Sequence, residues 1–158
     1  MSDPEWSVLR AHLEQASSDE WHLVAWGWNW DNSLEPLQWI VTHPMCDRAT
    51  ALLMYWYGGA GYHVQYATRD DVPTHNLDMY DWLREIEQRY VDGFYVRQEL
   101  AFDPARDDGH DWTREYRTLV VKRAIPPLMY QALNGRVIGP RYEDGYPPEV
   151  WAALNREE

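Results

Sequence analysis

Between Ala49 and Thr68 the chain carries no Asp, Glu, Lys or Arg, and Ala51-Leu52-Leu53-Met54-Tyr55-Trp56-Tyr57 is apolar or aromatic nearly all round. A helix with that pattern must be covered on every side by other elements. Asp47 can cap it and Gly58-Gly59 can end it, which predicts a helix over Arg48 to Tyr57. That is about ten residues, far short of the roughly 20 needed to span a bilayer. The stretch is therefore expected to be the central core helix of a globular domain.

The rest of the chain supplies the elements that cover it. Asp3-Pro4 reads as a cap followed by proline in the first turn, and Trp6, Leu9, Leu13 and Ala16 then share one face. Ser17-Ser18-Asp19-Glu20 predicts a capping box, with Trp21, Val24, Ala25 and Trp28 lining the helix behind it. Asn29-Trp30-Asp31-Asn32 is turn chemistry. A short helix from Pro36 would point Leu37, Ile40 and Val41 inward and stop before Pro44. Thr74 or Asn76 can cap another, in which Met79, Trp82, Leu83, Ile86 and Tyr90 recur at helical spacing up to Gly93. Phe94 to Phe102 fits strand and helix equally, and Trp112 to Lys122 fits helix or extended chain. Pro126-Pro127 and Pro147-Pro148 predict two more helices. The first would turn Leu128, Met129, Ala132 and Leu133 inward and end at Gly135; the second would run through Val150, Trp151 and Leu154. The expected fold is mainly α: one domain over 1–158, an irregular bundle of six or seven helices with an aromatic-rich core.

Composition decides whether such a core can exist. Leu, Ile, Val and Phe make up less than a fifth of the 158 residues, and the formal charge is -12, a pairing normally associated with disorder. Ten Trp and 11 Tyr reverse that inference, because each ring can bury roughly 150–250 Å². Indoles and phenols stand in for the missing aliphatic residues.

Asn29-Trp30-Asp31, then His43-Pro44-Met45-Cys46-Asp47 and Thr50-Ala51-Leu52-Leu53, resemble the bacterial family called domain of unknown function 4274. The best match covers residues 20 to 60, and a weaker echo in Tyr116 to Tyr130 extends the similarity to about 20–132. Where the family pattern continues with a second Asp and a Gly, this chain has Asn32-Ser33, so a paired-carboxylate role at that turn lacks its second carboxylate. The resemblance implies an all-helical fold and no established activity, and it associates the chain with immunity-type proteins of bacterial toxin systems. The matched residues also have structural readings: Asn29 and Asp31 shape a turn, Pro44 stops a helix, Asp47 caps the next, and Cys46 is a small buried side chain.

Candidate chemistry is sparse. His12, His22, His43, His63, His75 and His110 include no pair at zinc-helix spacing, although His22 and His43 could meet between adjacent helices. Asp107-Asp108-Gly109-His110-Asp111 resembles a calcium loop, but aligning Gly109 with the sixth loop position puts Pro104 where an Asp ligand is required. Gly58-Gly59-Ala60-Gly61 lacks the Lys-Ser/Thr of a phosphate loop. Cys46 beside His43 is a poor nucleophile pair, since catalytic partners come from distant segments. No cofactor, metal or catalytic residue is predicted; an enzyme using His22, His43 and Asp31 is the least favoured reading.

The surface offers more. At pI 4.8 the chain would be repelled by nucleic-acid phosphates and anionic membranes, so its expected partner is a basic protein. The acids cluster in the later loops, at Asp70, Asp71, Asp103, Asp107, Asp108, Asp111, Glu143 and Asp144, with Tyr142 beside the last pair. Trp26, Trp28 and Trp30 alternate, so they cannot all face one core, and exposed Trp and Tyr are enriched in interfaces. The lone Cys46 and an N-terminus without an apolar run point to the cytoplasm. The leading expectation is a non-catalytic, immunity-type inhibitor that covers a toxin's basic cleft; a small adaptor or structural protein is the alternative.

Overall fold

The structure, a computed structural model, describes residues 1–156. Seven α-helices follow one another in these residues: α1 (Asp3–Gln15), α2 (Ser18–Gly27), α3 (Glu35–Thr42), α4 (Arg48–Tyr57), α5 (Ala60–His63), α6 (Leu77–Val91) and α7 (Pro148–Leu154). Between α6 and α7 the chain is mostly extended, broken by 3-10 turns and held by isolated β-bridges such as Leu100 to Arg136 and Phe102 to Leu133. The fold is mainly α, as expected. No helix of the described residues is long and apolar enough to cross a membrane.

The predicted central helix is central. Every residue of α4 from Ala49 to Trp56 is buried, and α2, α3, α5 and α6 pack around it. Asp47 caps it through a 2.9 Å bond from the Ala49 amide to its side chain. The main core runs from Leu9 in α1 to Val150 in α7 and draws on all seven helices. Its aromatic rings make edge-on contacts of the kind ring quadrupoles favour, such as Tyr55 to Trp56 at 5.6 Å and Trp56 to Tyr130 at 5.3 Å.

Several local expectations are corrected. Ser2, not Asp3, caps α1, in a reciprocal box with Glu5. At α2 only half of the expected box forms: Ser17 accepts the Glu20 amide, while the Glu20 carboxylate turns to His12 at 3.1 Å. Gly58 ends α4, but Gly59, at φ 95°, starts the unpredicted short helix α5 instead of a loop. Trp112 to Lys122 holds a single 3-10 turn. Pro127–Tyr130 is another, in which Met129 is buried and Leu128 partly so, while Leu133 is half-buried and Ala132 exposed. Gly135 terminates no helix; a Cβ there would lie 2.4 Å from the Glu99 carbonyl, so glycine is needed for two backbones to touch. The last helix forms as expected, and in it Val150 packs inward, Leu154 is half-buried and Trp151 faces out.

Candidate functional site

The Cys46-Asp47-x-x-Thr50 stretch is the organising point of the fold. Asp47 is completely buried. One carboxylate oxygen caps α4; the other accepts the Glu99 amide at 2.8 Å and faces the Arg97 guanidinium at 3.4 Å. Arg97 also pairs with Glu99 and, at 2.8 Å, with Asp19, which is gripped from its other side by Arg136 through two bonds of 2.9 and 3.1 Å. The hydrogen bonds from Arg136, aided by the Arg136 and Arg97 charges, hold the Asp19 carboxyl below its usual range. This chain of charges ties the starts of α2 and α4 to the extended segments around residues 97–99 and 136. Cys46 is buried beside it, and burial together with the Asp47 charge pushes its thiol up. A thiol held protonated is a weak nucleophile.

His22 and Thr50 are joined by a 2.8 Å bond between Nδ1 and the hydroxyl. His22 then lines a cleft of about 330 Å³ between α2, α4 and the segments near 101–107 and 132–138, with Trp26, Phe102, Asp103 and Asp107 among its walls. Burial drags the imidazole down to about 4, against the opposing fields of Asp47, Asp19 and Asp107. The unfolded chain binds this proton at about 6.5, where the folded chain does not. Stability from neutral His22 is therefore full above that value and lost as pH falls toward 4. His22→Gln is expected to flatten the stability–pH curve across this window by roughly 3 kcal/mol, measured by urea unfolding at each pH. Equal slopes in the two proteins would refute the burial of the ring.

A second, larger depression of about 730 Å³ is lined by Leu23 and by residues between Gly139 and Trp151. Tyr142, Tyr146 and Trp151 form its aromatic wall, Pro140 and Pro148 add apolar surface, and Arg141, Glu143 and Asp144 stand around it. Tyr146 is fixed by rings on both sides, Trp28 at 5.6 Å and Trp151 at 5.8 Å, and by a 3.1 Å bond from Asn32 to its hydroxyl. Trp151 remains half exposed. Burial, then the charges of Glu20 and Glu149, hold the Tyr142 phenol above its usual range. Burial does the same at Tyr146, with Glu5 and Asp144 adding to it and the Asn32 bond opposing. The groove wall presses directly on α2: a Cβ on Gly27 would lie 1.8 Å from the Tyr142 carbonyl, and one on Gly145 2.5 Å from the Trp28 ring.

The predicted acidic residues are thus spread over several settings. Glu143, Asp144 and Tyr142 share the groove, and Asp103 and Asp107 share the His22 cleft. Asp107 is not a free loop acid; it accepts the Tyr57 hydroxyl at 2.5 Å and the Trp112 indole at 2.9 Å. Asp111 caps the next turn through Thr113, and that bonding holds its carboxyl low. Asp108 is exposed at φ 50°. Asp71 closes the turn that begins at Thr68, leaving Asp70 exposed beside it. Of the three residues in the enzyme reading, only His22 lines the cleft; the His43 ring packs on Trp21 and Trp39, and Asp31 is exposed at its turn. Among the alternating indoles, Trp28 is in the core, Trp26 lies against Gly139 and Trp30 against Trp82. Sequence reasoning missed Trp151 and Arg141 as groove residues. Gly27, unfavourable inside a helix and flanked by two Trp, was the available signal of a close backbone approach.

The seven helices around a buried α4, with an anchored Asp47 and a neighbouring aromatic groove, define a small helical domain with an aromatic core. The model of the family described as domain of unknown function (DUF4274) matches residues 16–91, and this part of the chain belongs to that family. The match contains the Asn29 turn and the His43 to Leu53 motif and stops at the end of α6, so the echo in Tyr116 to Tyr130 lies outside it. No curated protein and no solved structure matches the chain.

Proposed function

We propose that the protein is a non-catalytic binding module of the immunity type, whose groove at Tyr142, Tyr146 and Trp151 takes a basic segment of a toxin or effector partner. The observation that carries this reading is the groove itself: fixed aromatic rings with Glu143 and Asp144 at hand, and phenols that feel four carboxylates, Glu5, Glu20, Asp144 and Glu149. Rigid Tyr and Trp side chains supply most of the energy at many interfaces, and surplus negative charge speeds capture of a basic partner. The position of the groove fits a specificity element. All its lining residues except Leu23 fall outside the matched span 16–91, so the family scaffold and the recognition surface are separate parts of one chain. A cytoplasmic location, where such an inhibitor would meet its toxin, is part of the proposal.

The test is direct. The product of the neighbouring gene is co-expressed with this chain, and toxicity and affinity are measured. Relief of toxicity and an affinity that weakens steadily with salt are expected, with a further loss of at least about tenfold in Glu143→Lys/Asp144→Lys. No relief of toxicity overturns the immunity reading. Salt-independent binding, or unchanged binding by the double variant, overturns the groove.

A further inference from the structure

The His22 cleft is built differently from the groove, and its polar groups are unusual in being uncommitted. The Thr50 hydroxyl has no acceptor among the described residues other than His22 Nδ1, so it donates there and the ring proton of the neutral imidazole sits on Nε2. That N–H has no partner among the described residues and is the polar group His22 can offer to the cleft. Asp103 spends one oxygen on the Ala105 amide, and Asp107 spends one on Tyr57 and Trp112; the second oxygen of each is open. Arg106 lines the same cleft as an exposed side chain with no ion pair among the described residues. Arg136, by contrast, is consumed by Asp19. Trp26, Leu53, Phe102 and Ile138 provide apolar walls.

Open carboxylate oxygens and an open guanidinium in one cleft, unpaired with each other, are complementary to a ligand bearing both charges. A cation alone would leave Arg106 and the His22 N–H unanswered, and an anion alone would leave Asp103 and Asp107 facing it. We propose that this cleft binds a small zwitterion, a free α-amino acid with an apolar side chain. Its ammonium pairs with Asp103 and Asp107, its carboxylate meets Arg106 and the His22 N–H, and its side chain lies against Trp26, Phe102 and Ile138. The cavity, at about 330 Å³, falls at the small end of ligand pockets, which suits a ligand of this size. Bonding to both charges at once distinguishes the free amino acid from derivatives that carry only one of them.

The full chain is titrated calorimetrically with leucine and phenylalanine, and with their N-acetyl and C-amide derivatives. Saturable binding of at least one free amino acid is expected, weakened at least about tenfold by blocking either end. Asp103→Asn is expected to weaken the free amino acid while leaving the N-acetyl form unaffected, and Arg106→Gln to do the same with respect to the amide. No saturable binding up to about 10 mM, or derivatives that bind as well as the parent, would overturn the proposal. These outcomes are independent of the groove, whose residues are not altered.

Discussion

Asp47→Ala is expected to destabilise the protein by about 3–5 kcal/mol, the cost of removing one partner from a buried, hydrogen-bonded charge cluster. At this chain length that lowers the unfolding temperature by on the order of 10 °C. Three losses coincide. The Ala49 amide at the start of α4 loses its cap, the Glu99 amide loses its acceptor, and Arg97 keeps only Asp19 and Glu99 to balance it. Because Asp47 is fully buried, water does not replace the missing acceptors without opening the structure. Asp47→Asn separates the contributions: its amide oxygen still caps Ala49, but its NH2 faces the Glu99 amide and Arg97, donors against donors. An intermediate loss is expected for Asn, read from urea unfolding of both variants. A loss under about 1 kcal/mol in the Ala variant, the range of exposed pairs, would mean that the cluster is solvated.

Asp47 also shows how far the sequence could be read. Its capping role was legible because the N-cap rule is local: an Asp before an apolar helix has one obvious use. Its second oxygen was not, since the Glu99 amide comes from a segment that fits strand and helix equally, and no periodicity identifies a residue that binds across 52 positions. The same division runs through the chain. The buried faces of α2, α3 and α6 follow from three-and-four spacing, whereas the region from Phe94 to Pro147 has no period because its backbone is held by scattered bridges and turns. The groove was half visible. Tyr142, Glu143 and Asp144 stood out by composition. Trp151 did not, because the sequence places it on a helix without saying which way it faces, and the packing of α7 against α1 leaves it outside. The cleft was visible through single residues, His22, Asp103 and Asp107, but their meeting depends on how the C-terminal segment returns across α2.

Trp56→Ala is expected to have the other large effect, about 3–5 kcal/mol from the lost ring and the cavity it leaves, with a further contribution from a stranded carbonyl. Trp56 is essentially inaccessible, and its indole N–H donates to the Met129 carbonyl at 2.9 Å while its ring makes edge-to-face contacts with Tyr55 and Tyr130. One side chain therefore fastens the 3-10 turn Pro127–Tyr130 to the central helix. Trp56→Phe keeps most of the apolar contact and removes the donor, so its smaller loss, about 1–3 kcal/mol, measures the orphaned carbonyl. Hydrogen exchange locates the damage: amides of the turn around Met129 are expected to lose protection in both variants, while those of α1 and α3 keep theirs in Trp56→Phe. If protection falls equally in all helices of the Phe variant, the indole bond is not a local fastener and the C-terminal segment is held by other contacts. In a chain with so few aliphatic residues, a single indole contributes both to the packing of the helix core and, beside the bridges at Leu133 and Arg136, to the attachment of the extended segment.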